Sequence, residues 1–168
     1  MSLFVQCSDF EVGNLRIANN NISSDSLQDV IDRVEVWFLQ DLLGATLYGQ
    51  FIADFDGTVF SEQRFTDIFA PFAVDEDCYL IRSEGIKQML MLMIYFEYVR
   101  YQPFTNSETG NNTAVNENST PASGIASGLY LRYNEAIATY QAIQWFIKEN
   151  VTIYPDYNGQ AKEKTSWV

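Results

Sequence analysis

Histidine is absent from the 168 residues, and cysteine, proline and basic side chains are scarce: 2, 4 and 10 respectively. Without histidine there is no ordinary acid–base group titrating near neutrality, and the commonest nitrogen ligand for zinc is missing. His-dependent catalytic triads and most zinc sites are thereby excluded. Cys7 and Cys78 lie far apart and in no metal-ligand spacing, so they are expected to be reduced, partly buried thiols of a cytoplasmic product. The shortage of lysine and arginine against 22 acids leaves a net charge of −12. Such a surface repels phosphates, which argues against a protein that grips DNA or RNA, though not against one that surrounds a duplex without holding it. The opening MSLFVQCSDFEVG lacks both a basic start and a long apolar run, so no secretory signal is expected. Without secretion, the Asn-x-Ser/Thr triplets at Asn112 and Asn118 reflect composition alone. A membrane span is also not expected: the longest apolar run, MLMLMIYF (89–96), is bracketed by Lys87 and Glu97 and falls short of the ~20 residues a bilayer requires.

What is present is apolar and aromatic, at 47% and 15% of residues. A single domain of this length buries about 70% of its unfolded surface, so a true core is expected over residues 1–168. The charge is unevenly divided. Residues 1–80 carry 14 acidic and 3 basic side chains, and residues 81–168 carry 8 and 7.

Apolar spacing predicts a mainly α fold, a bundle of four to five helices over residues 22–150. A helix starts at the SSDS string (23–26), follows the stripe Leu27, Val30, Ile31, Val34, Phe38, Leu42, and ends at Gly44. Asp25, Asp29, Asp32 and Glu35 lie off that stripe, giving an acidic face that is either solvated or lines a surface or pore. A shorter helix carries Leu47, Phe51, Ile52 and Phe55. SEQRFTDIFAPF (61–72) offers a turn or two more, with Ser61 as cap. Residues 75–103 are expected to form the longest apolar helix, with Asp75, Glu76 and Asp77 at its start and Pro103 at its end. Met89, Met91 and Met93 are core filler. The final helix spans Ser123 to Asn150. Residues 1–20 are a strand or an extended arm.

Residues 104–122 hold few apolar anchors and form a long polar loop or hairpin arm, either loose on the surface or ordered against a neighbour. Residues 151–168 form an extended tail whose aromatics fold back on the domain or dock on another chain. The candidate interface residues are accordingly Phe104, Val115, Tyr154, Tyr157 and Trp167. No catalytic, cofactor-binding or metal-binding residue is assigned.

One string suggests chemistry. In FIADFDGTVF (51–60), Asp54-x-Asp56-Gly57-Thr58 has the order found in haloacid dehalogenase-like phosphatases, with Asp54 as nucleophile and Asp56 as acid–base. That chemistry requires the string at the carboxyl end of a parallel strand. Here the preceding apolar residues are in helical phase, and Asp and Gly are favoured turn residues, so the string reads as turn chemistry.

The stretch SLQDVIDRVEVWFLQDLLGATLYGQF (26–51) resembles the opening helix pair of tailed-phage head–tail connector proteins: a helix ending Leu-Leu-Gly, then Leu-Tyr in the next. The block from Gly85 to Gly124 is similar to the same family, in which an aromatic-rich helix feeds a Thr/Gly/Asn loop. The nearest look-alikes are ring proteins of crAss-like phages. The resemblance covers residues 22–150 and implies a structural virion protein of the neck. Such proteins assemble in the host cytoplasm as a ring, typically of twelve copies, below the portal, and contact portal protein, neighbouring tail or ring proteins and passing DNA without reading its sequence. It implies no cofactor and no enzymatic residue. A different class also fits the charge: a small acidic helical module that mimics DNA toward a host partner.

Overall fold

The computed structural model describes residues 3–17, 24–76, 79–101, 105–107, 110–112 and 125–165. Five α-helices are present among them, α1 (Ser24–Leu43), α2 (Ala45–Asp54), α3 (Gln63–Phe69), α4 (Ile86–Tyr101) and α5 (Ile125–Glu149). Two antiparallel hairpins interrupt the series, β1 (Phe72–Glu76) with β2 (Tyr79–Ser83) and β3 (Thr105–Ser107) with β4 (Gly110–Asn112). The mainly helical class expected from the apolar spacing is the observed one.

Helix α4 is central, packed between α1 and α5. Ile86, Met89, Leu90, Leu92, Met93, Ile94, Phe96 and Tyr98 are all buried, leaving it almost no polar face. Burial on every side is what such a composition requires, because each apolar group left in water forgoes about 25 cal/mol per Å². From α1 come Leu27, Ile31, Val34, Phe38, Leu39 and Leu42, and from α5 Ile137, Tyr140, Ile143 and Ile147.

The single long helix expected over 75–103 is corrected. Residues 72–83 form a hairpin in which Phe72 pairs with Ser83 and Val74 with Ile81. Their alternation is period two: Phe72, Val74, Ile81 and Ser83 are at least half-buried, whereas Ala73, Asp75, Leu80 and Arg82 face solvent. The acidic trio that resembled a helix start is therefore hairpin sequence, with Asp75 and Glu76 in β1. Gly85 keeps the hairpin and α4 apart. It has φ +87°, and an added Cβ would stand 2.8 Å from the Phe69 carbonyl oxygen, so no helix passes through it. Other expectations also change. The cap of α3 is Glu62 and not Ser61. The N-terminal segment carries a 3-10 turn at Cys7–Phe10, with no strand among its described residues.

A single residue, Gly44, joins α1 to α2, with φ +78° and ψ 160°. Its Cβ position is occupied by the backbone of Asn158, 2.7 Å away. The chain beyond α5 returns here: Asn158 N donates to the Leu43 carbonyl at 3.4 Å and Gln160 N to the Asp41 carbonyl at 2.6 Å. These bonds satisfy α1 carbonyls that a helix end leaves orphaned. Gly44→Ala is expected to lower the unfolding free energy by about 3 kcal/mol, from a backbone region open essentially to glycine plus a steric clash. Gly49→Ala, in α2 with nothing within 4 Å of the added Cβ, is expected to raise it by about 0.5–1 kcal/mol. Urea unfolding followed by circular dichroism checks both signs.

Candidate functional site

The DFDGT string closes a turn. Asp54 is the last residue of α2, and Asp56 follows in a bend closed by an antiparallel bridge between Phe55 and Phe60. Asp56 Oδ1 accepts the amides of Thr58 at 2.8 Å and Val59 at 2.9 Å, and Gly57 supplies the positive φ of 99°. Those amides, Val59 first, hold the Asp56 carboxyl below its ordinary range although it is fully exposed. Asp54 Oδ2 accepts the Glu62 amide at 2.9 Å, just before α3. Both carboxylates are thus engaged by backbone, and Asp54 stands on a helix rather than at the strand end that the phosphoryl-transfer arrangement uses.

The turn positions aromatic rings. Phe4, from the N-terminal segment, enters a socket formed by Phe51, Phe55, Phe60 and Phe69, with centroids 4.8–6.1 Å from its own. Glu35 holds that segment in place. It is 4% exposed, and its carboxylate accepts the amides of Leu3 at 2.6 Å and of Phe4 and Val5 at 3.2 Å. The expectation that Glu35 shares a solvated acidic face is therefore corrected: three consecutive amides replace water around it. Its place four residues from both Ile31 and Leu39, each fully buried on the same helix face, is the sequence signal for burial.

Two concave surfaces flank this framework. One, of about 440 Å³, is lined by Gln50, Ala53, Asp54, Glu62, Arg64 and Asp156. Its polar groups are bonded to one another: Arg64 contacts Glu62 at 2.6 Å and Gln50 at 3.3 Å, and Gln50 donates to Asp156 at 2.8 Å. The other, of about 350 Å³, lies between α4, α5 and the returning C-terminal segment, where Met93, Phe96, Tyr130 and Tyr133 meet Glu97, Arg100 and Thr165. Arg33 and Arg100 both approach the buried Glu97, at 3.9 and 4.0 Å, the outer limit of an ion pair. Neither surface was legible in the sequence, because each is assembled from elements distant along the chain.

Of the residues nominated as interface anchors, Phe104, Val115 and Trp167 lie outside the described residues, as does Cys78. Tyr154 folds back on its own domain: it is 1% exposed, and its hydroxyl donates to the Arg64 carbonyl at 2.7 Å. Tyr154 as an interface anchor is thereby corrected, since an indoor hydroxyl with a bonded partner has no surface to offer. Tyr157 packs half-buried against the same core. The tail to which they belong runs back along α5, where Gln144 donates to the Gln160 carbonyl, Gln141 to the Lys162 carbonyl and Asn134 to the Thr165 carbonyl, all at 2.8–3.0 Å. Lys162 Nζ reaches Asp41 at 2.7 Å and lies 4.8 Å from the Trp37 ring centroid.

Among the described residues no group of three or more Cys, Asp or Glu is arranged to hold a metal ion, and no helix is long and apolar enough to cross a membrane. Comparison with protein-family models, with curated proteins and with solved structures finds no match to the chain.

Glu35→Ala is expected to cost about 3 kcal/mol or more, since it strips the acceptor from three amides, two of them buried; Glu35→Gln, which keeps one oxygen, costs less. Hydrogen exchange at residues 3–5 checks this directly. Burial pushes Glu35 above its ordinary range, against the opposing amides. The folded chain therefore retains a proton there that the unfolded chain releases. Its contribution is fully present below the ordinary glutamate value and declines as pH rises through the raised one, a slope that Glu35→Gln should flatten. At the alkaline end, burial raises Tyr140 and Tyr154 far above the usual tyrosine range. Their stabilisation is lost as pH climbs past about 10, so unfolding and late tyrosinate absorbance should appear together.

Proposed function

We propose that this chain is a structural virion protein, a head–tail connector whose copies close into a ring below the portal and join capsid to tail. The reading starts from the resemblance of residues 26–51 and 85–124 to that family. The single observation that supports it best is the segment leaving α4. It forms the β3–β4 hairpin, in which Thr105 pairs with Asn112 and Ser107 with Gly110, and it packs extensively against no other element among the described residues. A two-stranded ribbon alone is marginal in water, so a neighbouring subunit is the natural source of its missing contacts. The described aromatics of the terminal segments, Phe4, Phe10, Tyr154 and Tyr157, are otherwise engaged, since they pack on the body. The acidic half of the chain suits a ring wall, because repulsion over a screening length of ~8 Å keeps a passing duplex mobile. The contrast between that half and the near-neutral half suits the head-to-tail contacts of a closed ring.

Sedimentation or native mass measurement, alone and with the portal protein, decides the matter. Rings or portal complexes support the reading; a stable one-to-one complex with a host protein favours the acidic-mimic reading instead. Deleting residues 106–119 is expected to leave the helical circular dichroism unchanged and abolish assembly. Normal assembly by the deleted chain would remove the hairpin from the proposed contact.

A further inference from the structure

Residues 158–165 lie across the end of α1 and along α5 much as a bound peptide lies on its receptor. Only Gly159 and Lys162 among them are half-buried; the other six are exposed. The hold is on their backbone. From α5, the Tyr140 hydroxyl and the Gln144 side-chain amide converge on the Gln160 carbonyl, and Gln141 donates to the Lys162 carbonyl. Asn134 brackets Thr165, donating to its carbonyl and accepting its amide, both at 3.0 Å. From α1, the Asp41 carbonyl accepts the Gln160 amide. Tyr140 and Gln144 are themselves buried, at 0% and 5% exposure, so their donors require an acceptor, and a peptide carbonyl provides it.

Selectivity comes at two positions. A Cβ at residue 159 would overlap the Leu42 carbonyl, so the segment must be glycine there. Three residues on, the Lys162 ammonium meets Asp41 at 2.7 Å and stands 4.8 and 5.6 Å from the ring centroids of Trp37 and Phe38. The side chains of Gln160, Ala161, Glu163 and Lys164 form no hydrogen bond or ion pair among the described residues. The surface therefore reads an extended Gly-x-x-Lys sequence. The segment on it is also easily released. It buries no apolar side chain, and each of its bonds contributes modestly against the freedom lost in ordering a residue. Tyr154 fixes the chain just before it, so release can stop there without opening the core.

We propose that this face of α1 and α5 is a binding site for an extended Gly-x-x-Lys segment of a partner protein, which residues 158–165 occupy until the partner displaces them. Charge favours a lysine-bearing partner, since Asp41 belongs to the half of the chain with 14 acids and 3 bases. The site stands whether or not copies of the chain close into a ring.

The test follows a fluorescently labelled peptide, NGQAKEKT (residues 158–165), by anisotropy as the full chain is added. In the wild-type chain the tethered segment competes at an effective concentration in roughly the millimolar range, so binding is weak. Gly159→Ala expels that segment and leaves α1 and α5 intact. This variant should bind the peptide about ten-fold more tightly than wild type, with the far-ultraviolet circular dichroism unchanged. Within the peptide, Gly159→Ala or Lys162→Ala should each weaken that binding about ten-fold. Lys164→Ala, which removes the same charge, should leave it within about two-fold. A Gly159→Ala chain that binds no better than wild type, or binding indifferent to the peptide's glycine and first lysine, would overturn the site. Self-association that grows with concentration in the wild-type chain and vanishes in Gly159→Ala would assign the occupant to a second copy and overturn the partner. Should Gly159→Ala lose its fold, Lys162→Glu expels the segment by setting a carboxylate against Asp41, and the same measurement on that chain decides.

Discussion

A sixteen-residue helix with apolar side chains on nearly every face must be enclosed, and the rest of this chain is arranged around meeting that need for α4. Helices α1 and α5 cover most of it. Each of these then has an outer surface of its own to finish, and the segments at either end of the chain do this. The N-terminal segment is held to α1 by Glu35 and to α2 and α3 by the Phe4 socket, and the C-terminal segment lies along α5 and across the end of α1. Several polar groups inside hold backbone: the Glu35 carboxylate holds three amides, the Tyr140 hydroxyl the Gln160 carbonyl, and the Tyr154 hydroxyl that of Arg64. Burying such groups is tolerable because each is matched.

The DFDGT string shows how far a short motif depends on its setting. The same residues that can present a nucleophile at the end of a strand here terminate a helix, because YGQFIA before them has apolar residues four apart and only one β-branched side chain. Asp and Gly then do what they do in many turns: one carboxylate accepts two amides, and one glycine takes a positive φ.

Helices with a clear stripe were legible in the sequence. α1, α2 and α5 follow from Leu27 to Leu42, from Leu47 to Phe55, and from Leu129 to Ile147, because the 3.6-residue period survives when one face is buried. Residues 72–83 were not, since a short apolar run such as Tyr-Leu-Ile serves a strand or a helix equally and the acids beside it suit a helix start. Only the clash that bars a side chain at Gly85 decides the matter, and that depends on the Phe69 carbonyl, known only once the chain has folded. The same reason hid Glu35, whose partners are some thirty residues away, and hid the α4–α5 groove, whose walls come from two separate helices and the returning C-terminal segment. Tyr154 was ambiguous in sequence because an aromatic near a terminus fits an intersubunit anchor and a returning strap equally well.

The seal over the end of α1 comes from residues made much later: Lys162 reaches Asp41 across 121 positions. During synthesis, therefore, α1 and α2 emerge with their junction uncovered and the lining for α4 incomplete. Contacts this distant along the chain slow the search for the final arrangement. The nascent N-terminal half must accordingly remain in solution unfinished, and its concentration of aspartate and glutamate, by mutual repulsion, is well placed to keep neighbouring nascent chains from adhering.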